Sequence, residues 1–342
     1  MSGNRVSVLI PTRSRPDYLR RALQSVATQT AVRGIHEVVV IENGGDLRSQ
    51  TVCEAFTDLP IRYVFNDPPV PMSHWADRVF GTPSSASEYI AFLCDDDWWY
   101  PGHLQTATTC LDVRPACVAT WSRVLETNET LRAATVRGGT VWLVTNARGD
   151  ESECEIDAAQ MLTANLLTTA VHISGFVGRQ SVIRTILPRL CNGNPFDIDR
   201  HLAVLMAVQG ENVFLMSPTV GVRQHGLQES RTLGATREAR TWWQTTTREI
   251  VALAEARDID LSRELATLVE RSPECMATLL RNSYFDGLSD VGTLLPLPQA
   301  VRSAQRWLLV ARWMKRIVPP ILLRVLGIRG WVDSAQGQPS LA

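Results

Sequence analysis

Tyr89-Ile90-Ala91-Phe92-Leu93-Cys94-Asp95-Asp96-Asp97-Trp98-Trp99-Tyr100-Pro101 carries an apolar run directly into three consecutive carboxylates. The apolar half reads as a buried strand over Tyr89 to Cys94. Pro101 suits the opening of a helix, expected from about Gly102 to Val113. Adjacent carboxylates repel one another unless a cation lies between them. A hard divalent cation, manganese or magnesium, held by oxygen ligands together with a diphosphate, meets that need. A solvated acidic helix cap is the plainer alternative. The buried strand before the triplet and the two tryptophans after it favour the metal.

Working outward, strands are expected at Arg5 to Ile10, Glu37 to Ile41, Ile61 to Phe65 and Ala116 to Leu125. Helical spacing lies between them at Asp17 to Thr28 and Ser73 to Phe80. Strand–helix repetition predicts an α/β fold with a mostly parallel central sheet. Ligands of such sheets bind at the carboxyl ends of the strands. Pro11-Thr12-Arg13, Glu42-Asn43-Gly44-Gly45, Asn66-Asp67 and Asp95-Asp96-Asp97 all fall there, so four polar clusters converge on one rim. Beyond residue 125 the pattern is less regular. A hairpin is expected at Thr135 to Thr145, strands at Val171 to Arg179 and Val213 to Val222, and a helix at Asp199 to Gln209. From about Thr232 the pattern is helical. The expected organisation is a catalytic domain over 1–230, with a donor half of about 1–125 and an acceptor half of about 126–230. A helical region over 231–333 and a tail over 334–342 follow.

The formal net charge of −1 gives no global field for nucleic acid, so an anionic ligand needs a local site. Lys315 is the only lysine among the cationic residues. The seven cysteines form no C-x-x-C pair, which argues against a zinc ribbon or a disulfide framework. Reduced cysteines and the lack of a leader-like N-terminus predict a cytoplasmic protein. No apolar stretch is long enough for a spanning helix.

With these segments in order, the chain resembles a family 2 glycosyltransferase of the GT-A fold over roughly residues 5 to 230. Ser7-Val8-Leu9-Ile10-Pro11-Thr12-Arg13 resembles the family's opening strand and its P-T turn. Val39-Val40-Ile41-Glu42-Asn43-Gly44-Gly45 resembles its D-N-G-S turn, with Glu42 in place of Asp. Phe92 to Pro101 resembles its F-L-D-x-D-D…P metal segment, with Cys94 at an Asp position. Met72-Ser73-His74-Trp75 resembles a stretch often found ahead of it.

The resemblance implies an inverting, metal-dependent transfer of a sugar from a nucleoside-diphosphate donor, UDP or dTDP, to an acceptor hydroxyl. Asp96 becomes the main metal ligand and Asp97 its support. Pro11, Thr12, Arg13, Glu42, Asn43 and Asp95 line the donor site. Asp199 aligns with the catalytic base, counting back from Gly210, and Asp197 is the second candidate; both also suit helix capping. Val222-Arg223-Gln224-His225-Gly226 resembles a Y-R-x-H segment, which assigns Arg223 to the diphosphate and His225 to the metal. Trp98 and Trp99 are the candidate platform for an acceptor ring, against ordinary packing.

Residues 291–332 lack acidic residues, and Arg302, Arg306, Arg312, Lys315 and Arg316 accompany an apolar face within 301–330. Peripheral membrane contact and packing on the catalytic domain, or on a second subunit in a homodimer, are the alternatives. A small molecule, a glycan or a peptide all remain open as acceptor, in secondary-metabolite or cell-surface glycan biosynthesis. Two rivals stand beside the transferase. A sugar nucleotidyltransferase needs a glycine-rich triphosphate loop, which Thr12-Arg13-Ser14-Arg15-Pro16 is not. A degenerate sugar-nucleotide-binding or scaffold protein fits Cys94 and Glu42 but not the retained Asp96 and Asp199.

Overall fold

The computed structural model describes residues 5–30, 34–45, 47–71, 74–128, 134–136, 152–167, 169–191, 197–225 and 237–271. The first half alternates as expected: β1 (Val6–Thr12), α1 (Pro16–Ala27), β2 (Ile35–Glu42), α2 (Arg48–Glu54), β3 (Ile61–Phe65), α3 (Trp75–Phe80) and β4 (Tyr89–Phe92). A two-residue strand, β5 (Trp98–Trp99), comes next, then α4 (His103–Val113) and β6 (Cys117–Asn128). Further along lie β7 (Ala134–Val136), β8 (Glu153–Ile156), α5 (Ala158–Leu167), a 3-10 turn (Ile173–Gly175), β9 (Phe176–Arg179), α6 (Gln180–Cys191) and α7 (Ile198–Ala207). The described chain closes with β10 (Glu211–Gln224), α8 (Arg237–Glu255) and α9 (Leu261–Arg271).

The strands form one sheet in the order β3-β2-β1-β4-β9-β6-β10-β5, with β7 on β6 and β8 on β10. The first four are parallel, in register with Leu9 opposite Val39 and Phe92. Strand β9 is antiparallel to both β4 and β6, and β10 is parallel to β6. Two reversals through β9 restore direction, so β10 points the same way as β4. Its end, Arg223 and Gln224, therefore arrives at the rim that carries the ends of β1, β2 and β4.

Both faces of the sheet are covered. Val8, Ile10, Val38 and Val40 face one cluster, packed under α1, α2 and α4. Their neighbours Leu9, Val39 and Ile41 face the other, packed under α3, α5, α6 and α7. Strand residues alternate between faces, so burial on both sides requires unbroken apolar runs, as Val8 to Ile10 and Val38 to Ile41 provide. Ile250, Ala254, Leu261 and Leu265 of α8 and α9 join the second cluster.

The structure departs from the sequence reading in several places. Val171 to Arg179 is strand only in its second half; its first half is the 3-10 turn. Helices α2, α5 and α6 and strands β5 and β8 were not anticipated. The hairpin expected at Thr135 to Thr145 falls within the described residues only at 134–136, which pair antiparallel with β6. The basic segment 301–330 and the tail 334–342 lie outside the described residues. No described helix is long and apolar enough to cross a membrane.

Candidate active site

Strand β4 ends at Phe92, and the chain turns sharply over Cys94 to Asp97 before β5 pairs with β10. This turn places all three carboxylates at the rim, each with different partners. Asp95 is buried; its Oδ2 accepts from Thr12 Oγ1 at 2.7 Å, and Arg15 lies 3.2 Å from its Oδ1. Asp96 Oδ2 lies 2.9 Å from His225 Nε2 and 3.6 Å from Arg15. Asp97 is buried and held on both oxygens: Ser174 Oγ donates to Oδ2 at 2.6 Å, and the Arg223 N–H donates to Oδ1 at 3.2 Å.

Crowding shows in the ionisation of this group. Burial, then the charge of Asp96, pushes Asp95 up to about 7 against the pull of Arg15 and Thr12. The same two causes hold Asp97 well above the ordinary carboxylate range. Cys94, next to them, is raised chiefly by burial. A divalent cation relieves this kind of strain. Cys94 Sγ and carboxylate oxygens of Asp96 and Asp97 lie within 4.8 Å of one another, with His225 beside Asp96. Two carboxylates and an imidazole are a fitting donor set for manganese, or for magnesium with its own waters.

A cationic and aromatic wall faces the carboxylates. Arg223 donates from Nε to the Asp96 carbonyl at 3.2 Å. Its guanidinium lies 5.2 Å from the Tyr18 ring centre and 5.6 Å from that of Trp98. Tyr18 also packs on the His225 ring at 5.1 Å. Trp98 lies flat on Gly221, where a Cβ would sit 2.1 Å from the indole. Arg223, His225 and Trp98 thus stand beside the carboxylates.

The turn after β2 builds a second polar recess. Glu42 is fully buried, and its Oε1 accepts from the Ser14 N–H at 2.9 Å. Among the described residues its Oε2 has no hydrogen-bond partner. Gly45, at φ +111°, leaves room that a Cβ would take from Ser14 Oγ, at 2.1 Å. Asn43 braces the next loop, donating to the Val70 carbonyl at 3.1 Å and accepting from its N–H at 2.8 Å. Pro11 and Arg13 flank Thr12 at the rim, Arg13 exposed.

Across the sheet, Asp199 in the first turn of α7 accepts from the Ile173 N–H at 3.1 Å. Ile173 precedes Ser174, the partner of Asp97, so Asp199 and the carboxylate triplet hang from one turn. Two expectations need correction. Asp197 does not face this turn's carboxylates: it is buried in an ion pair with Arg200 at 3.1 Å, and Arg200 also binds Trp243 and Thr247 of α8. It is an anchor for α8. Trp99 is only 1% exposed; its ring stacks on His103 and its Nε1 donates to the Ser174 carbonyl at 2.7 Å. Pairing of β5 with β10 alternates the two indoles, so Trp98 faces the rim and Trp99 the core.

Sequence reasoning missed Tyr18 and Ser174. Tyr18 sits at an ordinary helix position and Ser174 in an apolar run, so neither carried a signal. Arg15 was visible as part of a basic loop, but its pairing with Asp95 and Asp96 requires the end of β1 beside the end of β4.

A mostly parallel sheet, covered on both faces, with carboxylates, a glycine turn and cationic groups on one rim is the arrangement of the GT-A fold. Residues 7–165, a little under half of the chain, match the family model Glycosyl transferase family 2. Among curated proteins it resembles glycosyltransferase GlyA of Streptococcus pneumoniae, 28% identical over 104 residues, 30% of this chain and 14% of that one. It also resembles protein CgeD of Bacillus subtilis, 24% identical over 186 residues, 50% of this chain and 40% of that one. The chain therefore spans less than half the length of these relatives. In fold it is similar to residues 1–349 of S. aureus TarS, with TM-score 0.59, 12% identity, and coverage of 88% of this chain and 83% of that one. The same TarS fragment in complex with UDP-GlcNAc superposes with TM-score 0.61 at 13% identity, again covering 88% and 83%.

Proposed function

We propose that this chain is an inverting, metal-dependent glycosyltransferase that moves a sugar from a nucleoside-diphosphate donor to an acceptor hydroxyl. One observation carries the reading: a crowded carboxylate triplet, faced by Arg15, Arg223 and His225, shares a single buried turn with a separate carboxylate, Asp199. Negative charge for a cation and positive charge for a diphosphate thus stand on one side, and a base on the other.

A divalent metal held by Asp96, with Asp97 and His225 beside it, would act as a Lewis acid on the diphosphate. Arg223 and Arg15 would neutralise charge that grows on the leaving oxygen. Asp199 would take the acceptor's hydroxyl proton as that oxygen forms its bond to the anomeric carbon. The bond from anomeric carbon to phosphate oxygen breaks, and its electron pair leaves with the nucleoside diphosphate. A single displacement of this kind inverts the anomeric centre.

UDP or dTDP is the favoured carrier on the family resemblance. The TarS fragment in complex with UDP-GlcNAc, close in fold, supports the same carrier class. Trp98, half-exposed beside the carboxylates, is the candidate acceptor contact. The proposed acceptor is a small molecule, glycan or peptide of a secondary-metabolite or cell-surface pathway, with the donor supplied from the cytoplasm.

The test is manganese-dependent release of UDP or dTDP from a panel of their sugars, with wild type and Asp199→Asn. Wild type should turn over slowly with water or faster with an acceptor. Asp199→Asn should lose about 100-fold or more in kcat while binding donor equally well. Equal rates for both proteins would remove Asp199 from the reaction. Donor binding without any release would make the chain a sugar-nucleotide-binding protein instead.

A further inference from the structure

We infer that Ser174 is a positioning residue that clasps the metal-side carboxylates to the base, so that the two halves of the site move as one. The inference rests on the reaction proposed above for what the clasp does, but not for whether the clasp exists.

Ser174 is fully buried in the 3-10 turn and makes four separate connections. Its hydroxyl donates to Asp97 Oδ2 at 2.6 Å and accepts from the Cys94 N–H at 3.1 Å. It therefore holds both ends of the Cys94–Asp97 turn. Its carbonyl accepts from Trp99 Nε1 at 2.7 Å, which fixes β5. Its N–H donates to His172 Nδ1 at 3.3 Å. The preceding N–H, that of Ile173, donates to Asp199 Oδ2 at 3.1 Å. The other oxygen of Asp97 is bound by the Arg223 N–H, so the end of β10 is tied to the same turn.

The turn itself has little freedom to shift. A Cβ on Gly175 would stand 2.8 Å from the Ser122 carbonyl oxygen and 3.1 Å from its nitrogen, so the backbone lies directly against β6. A rigid support that touches both a metal-side carboxylate and the base is how a site keeps two chemically separate groups in mutual register. Ser174 does not itself reach a reacting atom in this arrangement. Loss of its hydroxyl would leave Asp97 and the Cys94 N–H each short of a buried partner, a costly state.

Hydrogen exchange and kinetics test the clasp together, on the full chain. In Ser174→Ala, amide exchange should quicken in three separate stretches: 94–99, 172–175 and the first turn of α7. The manganese dissociation constant, read by electron paramagnetic resonance, should rise about 10-fold, and kcat should fall about 10-fold, as for loss of a hydrogen bond to a charged group. Nucleotide binding without metal should stay as in wild type. Ser174→Cys, similar in size with a weaker donor, should fall between the two; it replaces Ser174→Ala if that variant does not fold. Faster exchange confined to 172–175, with manganese affinity and kcat as in wild type, would overturn the clasp and leave Ser174 as packing. A wild type without turnover would sink the proposed function alone, because the exchange pattern still decides the clasp.

Discussion

Asp95, Asp96 and Asp97 are neighbours in sequence and yet play three parts. Asp95 is turned back to Thr12 and Arg15, Asp96 reaches His225, and Asp97 is locked between Ser174 and Arg223. Sequence could locate the triplet but not divide the work, because the division depends on which strand end each oxygen meets. Tyr18 shows the same limit: nothing in its surroundings in sequence marks it, and its ring supports Arg223 and His225 at once. Cation–ring contacts of this kind contribute about 0.5–2 kcal/mol. Tyr18→Leu should therefore weaken metal-dependent UDP binding several-fold by calorimetry, while Tyr18→Phe, which keeps the ring, should bind as wild type does. Equal binding by Tyr18→Leu and wild type would show that Arg223 and His225 hold their places without it.

Among elements, those that carry the site were the most legible. Strands β1 to β4 and helices α1 and α4 were readable because unbroken apolar runs between turn residues have few alternatives. Strand β5 was not, since two residues give no period; Trp99 thus read as a surface platform and proved to be core. The 3-10 turn was hidden inside an apolar run whose glycine, Gly175, marks close packing on β6 rather than a strand bulge. Below the rim, β1, β2 and the 82–87 loop are joined through Glu37. It accepts from the Ser84 N–H at 2.6 Å, Ser7 Oγ at 2.8 Å and Arg62 at 2.8 Å. Burial alone would raise its pKa, but these donors and the Arg62 charge outweigh burial and lower it. The unfolded value is about 4.3. Glu37 therefore stabilises the fold fully above that pH, and the contribution is lost as pH falls through the lower folded value. The urea midpoint of wild type should exceed that of Glu37→Gln at pH 7, and the gap should close on acidification below about pH 4. A gap unchanged at pH 3 would contradict the charged pairing.

At the scale of the molecule, one sheet covered on both faces positions every residue of the site. The reversal at β9 is what brings the end of β10 to the same rim as β4, a step that strand–helix alternation in the sequence does not announce. Helices α8 and α9 continue the core instead of standing apart from it. Arg200, buried, binds Asp197, Trp243 and Thr247, and its guanidinium lies 3.8 Å from the Trp243 ring centre. That buried network explains why Asp197, equal to Asp199 as a carboxylate near a helix start, serves packing: a buried charge needs its partner. Two aspartates two residues apart thus point to opposite sides of α7, and only the fold separates the anchor from the candidate base.

The central claim is a nucleoside-diphosphate site closed by a metal on Asp96. The measurement that meets it most directly is calorimetric titration with UDP, dTDP and GDP, with and without manganese, for wild type and Asp96→Ala. UDP or dTDP should bind wild type far more tightly with manganese than without. Asp96→Ala should lose that metal-dependent gain and unfold at a temperature close to that of wild type. Failure of every nucleotide to bind, or metal-dependent binding that survives in Asp96→Ala, would contradict the account.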